Sequence, residues 1–507
     1  MKKVFNPFLP LNEYIPDGEP HVFGDRIYLY GSHDIANGTR YCEAGNYVCY
    51  SAPLNDLSDW CYEGEIYSNK EDPLCKEGFS DLYAPDVVKG NDGRYYLYYT
   101  ISGGIDATAS GHNTPIRVAV CDEPAGKYVF HGYVRNKDGT PFLRYLPADP
   151  GVINDDGVIR MYYGWSLSMV AAGAHTGSER QLPQDENTKR MMLRQVETKL
   201  FGRTIEELNT YEDDVMGACH VELEDDMLTV RSKPKKIVEG QFFTQGTSFE
   251  GHGFYEAASI RKIDGLYYFI YSDEDSASLS YATSRYPDRD FEYQGVIVNN
   301  GDVGYEDRSK EDRLNQTGNN HGSLECVNGQ WYIFYHRQTH HSTYSRQACA
   351  EKVYFDDDGK IRQVECTSCG LNEGYLKEGE YPAAICCNLS NGHMPHITNT
   401  ISNEDIPYIG NDDENVYIRN FKKGCFAVYK YFDLNGRYDI SVSIRNSAEG
   451  ELVINDDVTV SLKRSDQWET YRTSIDFKGK TALKFSYSGD GSIDILNFTI
   501  EKGKETE

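Results

Sequence analysis

No stretch of this chain is apolar for long enough to cross a bilayer. A membrane-spanning helix needs about 18 or more uncharged apolar residues in a row, and every window of the sequence is broken sooner. The N-terminal Met1-Lys2-Lys3-Val4-Phe5-Asn6-Pro7 has two lysines but no apolar core of signal-peptide length. Cysteine is present without a framework: 13 residues, an odd number, at scattered spacings. Together these absences point to reduced thiols and a cytoplasmic location. Cys366-Thr367-Ser368-Cys369 and Cys386-Cys387 form the one metal-like cluster, but no histidine or second pair stands at zinc-ribbon spacing, so they read as ordinary thiols. Positive charge is also short. With 51 Lys and Arg against 79 Asp and Glu, the net charge of -28 would repel a nucleic-acid backbone or an anionic membrane. A neutral ligand suits it better.

What the chain does have is aromatic residues and turns. It contains 40 Tyr, 21 Phe and 46 Gly but only 8 Met. Aromatic side chains favour strands and glycine favours turns, so the composition is that of an all-β protein. At 507 residues it exceeds one ordinary core and implies two or three domains.

One unit recurs, a turn followed by an aromatic strand. It appears as Asp25-Arg26-Ile27-Tyr28-Leu29-Tyr30, Asp92-Gly93-Arg94-Tyr95-Tyr96-Leu97-Tyr98-Tyr99 and Asp156-Gly157-Val158-Ile159-Arg160-Met161-Tyr162-Tyr163. It returns as Asp264-Gly265-Leu266-Tyr267-Tyr268-Phe269-Ile270-Tyr271 and Asn328-Gly329-Gln330-Trp331-Tyr332-Ile333-Phe334-Tyr335. The copies begin at 25, 92, 156, 264 and 328, with spacings of 67, 64, 108 and 64 positions. Asp-Gly and Asn-Gly before an apolar run are hairpin chemistry. A unit of about 65 residues holds four short strands, which is one propeller blade. Residues 1–368 therefore read as a five-bladed β-propeller, with surface helices expected in the insertion around 189–209. A linker follows at 369–380. Short alternating strands over 381–503 then predict a jelly-roll-like β-sandwich.

A propeller brings the first strand of each blade to one axis, so acids far apart in sequence can meet. The segments entering the five strands contain Asp17 with Glu19, Asp86, Asp149, Glu256 and His321. Like charges gathered at one buried place are costly unless they bind something or share protons. Two carboxyls in unlike environments are what glycoside hydrolysis needs, one protonated to assist the leaving oxygen and one ionised to activate water.

These motifs, in this order over roughly residues 5–365, resemble glycoside hydrolase family 43, five-bladed propeller enzymes acting on arabinose- and xylose-containing glycans. The resemblance implies an inverting arabinofuranosidase or xylosidase with Asp17 as general base, Asp149 tuning and orienting the acid, and Glu256 as general acid. Because the family's Asp-Pro is spread here over Asp17-Gly18-Glu19-Pro20, Glu19 is the alternative base. It further implies that His321 helps hold a metal, usually calcium, or a water cluster, and that Arg337 reaches substrate hydroxyls. Asp86, Tyr83, Trp165 and Phe254 are candidates for the sugar platform. No cofactor is required for the chemistry. The C-terminal region resembles a carbohydrate-binding module of family 6 in pattern and position, and Asn411-Asp412-Asp413-Glu414 could hold a structural calcium there. The expected partner is an oligosaccharide. The competing reading is a propeller that binds glycans without cleaving them.

Overall fold

The computed structural model describes residues 4–75, 81–101, 114–167, 185–398, 400–402 and 404–503. Five antiparallel sheets follow one another along the chain. The first blade comprises β1 (Glu19–Phe23), β2 (Arg26–Tyr30), β3 (Asn46–Pro53) and β4 (Cys61–Ser68). The second has β5 (Leu82–Lys89), β6 (Tyr95–Ile101), β7 (Arg117–Cys121) and β8 (Val129–Tyr133), and the third β9 (Gly151–Asp155), β10 (Val158–Trp165), β11 (Gly217–Leu223) and β12 (Lys235–Glu239). The fourth has β13 (Phe254–Ile263), β14 (Leu266–Asp273), β15 (Ser278–Ser284) and β16 (Glu292–Asn299). The fifth has three strands, β17 (Ser323–Val327), β18 (Gln330–Gln338) and β19 (Arg346–Val353). The N-terminal segment runs beside β19, with Phe8 N donating to Ala348 O and Asn6 Nδ2 to Ala350 O. This is the five-bladed propeller that the repeat predicted.

The turns behave as their residues require. Asp156-Gly157, Asp264-Gly265 and Asn328-Gly329 all have positive φ at both positions, the signature of a type I′ hairpin. The aromatic strands fill the spaces between blades: Tyr98 and Tyr163 share one core, and Tyr30, Tyr47, Tyr67 and Tyr99 another. Fully buried tyrosines find partners for their hydroxyls, as in Tyr67 Oη with Tyr99 Oη at 2.8 Å.

The insertion folds as helix α1 (Glu186–Phe201), capped by the Asp185 side chain and ended by Gly202 in the left-handed region, followed by the short α2 (Ile205–Leu208). Lys189, Leu193, Glu197 and Phe201 recur every four residues and form the buried face of α1. Its end, Phe201, meets the ring of Trp165 edge-on at 6.0 Å.

From Gly379 onward the chain forms a β-sandwich built on one nine-stranded network. Its strands are β20 (Gly379–Pro382), β21 (Asn388–Ser390), β22 (Tyr408–Asn411), β23 (Val416–Lys422), β24 (Phe426–Asn446), β25 (Gly450–Ile454), β26 (Val458–Leu462), β27 (Ser465–Gly489) and β28 (Ser492–Lys502). Asn435-Gly436-Arg437 looks like a turn in sequence, yet β24 runs through it paired to β27, with Gly436 and Gly479 at positive φ on the two strands. Alternate residues of β24, Tyr438, Ile440, Val442 and Ile444, enter the sandwich core with Phe485, Ile495 and Phe498. The connecting segment is tied down at Leu376, whose N donates to Tyr431 O and whose O accepts from Asp433 N. The end of the charged C-terminal tail, 504–507, lies outside the described residues.

Candidate active site

Four of the five segments that lead to the axis share a local device. Asp17, Ala84, Asp149 and Ala257 all have positive φ, at 56°, 32°, 46° and 68°. Backbone in this region is unfavourable for a residue with a Cβ, and aspartate tolerates it better than most. The kink interrupts strand pairing, as at the register shifts after Tyr83 and on both sides of Glu256, and turns those side chains off the sheet toward the axis.

The result is a cavity of about 320 Å³ lined by Asp17, Asp149, Glu256, His321, Arg346, Trp165, Tyr41, Tyr83, Tyr255, Asn319 and Thr398, among others. The three acids proposed from sequence therefore meet in one pocket. Its volume lies at the small end for ligand sites.

Their environments differ. Asp17 is buried, which alone would raise its pKa, but Arg346 Nη1 donates to its Oδ1 at 2.9 Å and holds the carboxyl below its ordinary value. The backbone N of Asp17 donates to His336 Nδ1 at 3.2 Å, and His336 Nε2 lies 2.9 Å from Asn319 O. Burial and the nearby Arg346 push the His336 pKa down to about 3, so this imidazole is neutral, with its proton on Nε2. Glu256 is the opposite case. Burial, then the charges of Asp149 and Asp17, raise its pKa to about 8. Trp165 Nε1 donates to Glu256 Oε2 at 3.2 Å and partly opposes that rise. Asp149, itself raised by burial, accepts from Ala257 N at 3.0 Å and so fixes the kink immediately after the acid. His321 is disfavoured as a cation by burial, but Glu19, Asp149 and Asp17 overcome this and raise it to about 9.

Glu19 does not line the pocket. It is buried at the axis, where Arg261 Nη2 donates to its Oε2 at 3.2 Å. Three other sequence candidates are corrected by the structure. Asp86 has both carboxylate oxygens engaged, Oδ1 by His21 Nε2 at 2.6 Å and Val87 N at 2.7 Å, and Oδ2 by Val152 N at 2.6 Å; it joins the first three blades instead of meeting a sugar. Phe254 is fully buried among Phe269 and Tyr271, as blade packing. Arg337 points away from the pocket because strand side chains alternate: His336 faces Asp17, and Arg337 on the opposite side of β18 donates to Cys387 O at 2.9 Å and Cys386 O at 3.0 Å. The arginine of the site is Arg346, at the start of β19. It grips Asp34 through Nε at 2.8 Å and Nη2 at 3.1 Å, and it lies 4.6 Å from the Tyr41 ring centre.

Among the described residues, Glu19, His21 and Asp86 are the group whose donor atoms come within 4.8 Å of one another as metal ligands would. Since Asp86 is saturated, the oxygen left over is Glu19 Oε1, buried without a hydrogen-bond partner and 3.8 Å from His321 Nε2. Asn411–Glu414 form no such group; Asp412 Oδ1 instead accepts from Glu414 N and Asn415 N in a turn. Of the clustered thiols, Cys366 Sγ faces Asn299 O and Cys387 Sγ faces Val428 O.

One acid held low and one held high within a single pocket is the arrangement that breaks a glycosidic bond, and on this propeller it defines a glycoside hydrolase. The model of glycosyl hydrolases family 43 matches residues 6–191 and 206–361, and the chain belongs to that family. A Xylosidase/arabinosidase of Thermoclostridium stercorarium is 39% identical over 98% of this chain and 99% of its own length. Another Xylosidase/arabinosidase, from Bacteroides ovatus, is 27% identical over 71% of this chain and 97% of its own. The solved GH43_1 enzyme from Xanthomonas citri complexed with xylotriose matches 74% of this chain and 96% of that one with a TM-score of 0.51 at 21% identity, a likeness of fold.

Proposed function

We propose that the protein removes terminal xylosyl or arabinofuranosyl units from oligosaccharides by a single inverting displacement. The observation that carries this is that Asp17 and Glu256 line one pocket in unlike surroundings, Asp17 bonded by Arg346 and Glu256 buried in the same pocket as Asp149, which sets their proton affinities apart. At neutral pH Asp17 is ionised and takes a proton from a water as that water attacks the anomeric carbon. Glu256 is protonated and gives its proton to the departing glycosidic oxygen. Asp149 keeps the acid protonated through its charge and keeps the backbone beside it fixed. Both carboxyls then return to their starting states by proton exchange with solvent. Support for the pentose comes from the names of the two relatives, and the small pocket suits a terminal unit better than the interior of a polymer. Trp165, Tyr41 and Tyr83 offer aromatic surface to the sugar ring.

The chemistry needs no cofactor. We include a structural calcium in the proposal, with Glu19 Oε1 as its protein oxygen and water filling the oxygen-rich shell that the ion prefers; His321, raised to about 9, is protonated on both ring nitrogens at neutral pH and would join the shell only on losing one of those protons. When bound, it would add positive charge at the axis behind Asp17. A cytoplasmic location is also part of the proposal, supported by thirteen cysteines among which the described residues show no disulfide. Assay of nitrophenyl β-xyloside and nitrophenyl α-L-arabinofuranoside, with NMR of the first anomer released, tests the reading: inversion supports it, while retention or no hydrolysis of either contradicts it.

A further inference from the structure

Thr398 lines the same pocket as Asp17, Asp149 and Glu256, although it follows β20 and β21 of the sandwich in sequence. After β21 the chain leaves the sandwich and returns to the propeller before β22 begins. On one side of Thr398 it is held by Thr317, whose N donates to Pro395 O at 3.1 Å and whose O accepts from Ile397 N at 2.8 Å. His396 adds ring contacts, Nδ1 to Thr317 Oγ1 at 3.0 Å and Nε2 to Ser276 Oγ at 3.3 Å. On the other side, Thr343 N donates to Thr400 O at 3.2 Å and Ser402 N to His341 O at 2.8 Å. Thr398 thus stands between two anchored points, one near the fourth and fifth blades and one on the turn between β18 and β19.

We propose that Thr398, held in place through Pro395 and Ile397, walls the subsite for the sugar next to the cleaved unit and is a specificity-determining residue there. The inference rests on the glycosidase reading above. Asp17 is buried in the pocket, whereas Thr398 is exposed and so stands at its mouth. A terminal pentose that reaches the acids leaves the rest of the oligosaccharide to run outward through the mouth of the pocket, where Thr398 is one of the lining residues. A threonine suits a neutral polyol: its hydroxyl both donates and accepts, and its methyl group can lie against a ring carbon. The sandwich is then part of the catalytic pocket, because it supplies one of its walls.

The test compares Thr398→Ala and Thr398→Trp with the wild type on xylobiose, xylotriose and the two nitrophenyl pentosides. Losing one neutral hydrogen bond changes affinity by roughly three- to tenfold. Thr398→Ala is expected to raise KM for the oligosaccharides by about that factor with kcat nearly unchanged, and to affect the nitrophenyl substrates less, because the nitrophenyl group in the same subsite has no ring hydroxyl for the threonine to bond. Thr398→Trp, which narrows the mouth, is expected to lower kcat/KM for xylotriose by more than about tenfold. Both variants matching the wild type on the oligosaccharides would overturn the inference while leaving the glycosidase reading intact. Equal losses on all substrates would overturn it too, since they would mark a general disturbance of the pocket. A wild type inactive on every probe would overturn both.

Discussion

Trp165 Nε1 donates a 3.2 Å hydrogen bond to Glu256 Oε2, and the edge of the same indole meets Phe201 at the end of α1. The inserted helix thus supports the residue that holds the acid. The bond favours the ionised carboxylate, so removing it raises a pKa that is already about 8. In Trp165→Phe the alkaline limb of the kcat/KM profile is expected to move to higher pH, with kcat falling about tenfold as the acid loses its fixed orientation. A pH–rate series measures both, and an unmoved alkaline limb would count against the bond.

Arg346 acts on the other limb. Its charge outweighs the burial of Asp17 and keeps that carboxyl ionised to low pH. Arg346→Met is expected to shift the acidic limb of kcat/KM upward, because Asp17 then protonates earlier. The substitution also strands the buried Asp34, at a cost of about 3–5 kcal/mol, which thermal unfolding will register. Arg346→Lys keeps the charge but not the fork that spans both acids, so its acidic limb should shift less.

Glu256 is predicted to weaken the fold it serves. Its pKa is about 8 in the folded chain and near 4.5 when unfolded, so between those values the native state binds more protons than the unfolded state. Stability from this group therefore falls as pH rises from about 4.5 to about 8. Glu256→Gln mimics the protonated form and should raise Tm relative to wild type, more at pH 9 than at pH 5. A Tm difference independent of pH would contradict the raised pKa.

Arg337 supplies the contrast. It donates to the carbonyls of Cys386 and Cys387 across the seam between propeller and sandwich. Arg337→Met is expected to cost about 2–4 kcal/mol of stability through these two lost charged hydrogen bonds. At temperatures where the variant is folded, KM and kcat should stay close to wild type. A large KM effect would restore Arg337 to substrate contact.

The repeat made the architecture legible because Asp-Gly and Asn-Gly turns have few conformations, and five copies near one spacing leave little choice of fold. The same logic placed Asp17, Asp149 and Glu256 at equivalent entries to β1, β9 and β13. It failed at Asp86, which occupies the equivalent place in the second blade but is saturated by His21, Val87 and Val152. Position within a repeat shows which segment reaches the axis and not which way a side chain turns. For Arg337 and Arg346 the decisive signals are strand alternation along β18, which sets Arg337 opposite His336, and the third strand of the fifth blade, which brings Arg346 to Asp17. Thr398 had no signal, since a wall supplied from another domain leaves no mark in local sequence.

The central claim is that Glu256 is a general acid opposite an ionised Asp17, and the most direct measurement is the leaving-group dependence of Glu256→Gln. A nitrophenolate departs without needing a proton, whereas a sugar alkoxide does not. The account predicts a loss in kcat/KM of about 10² to 10⁴ on the natural oligosaccharide and a much smaller loss on the corresponding nitrophenyl glycoside, while Asp17→Asn suffers on both. Equal losses of Glu256→Gln on the two substrates, or hydrolysis of the oligosaccharide at the wild-type rate, would contradict it.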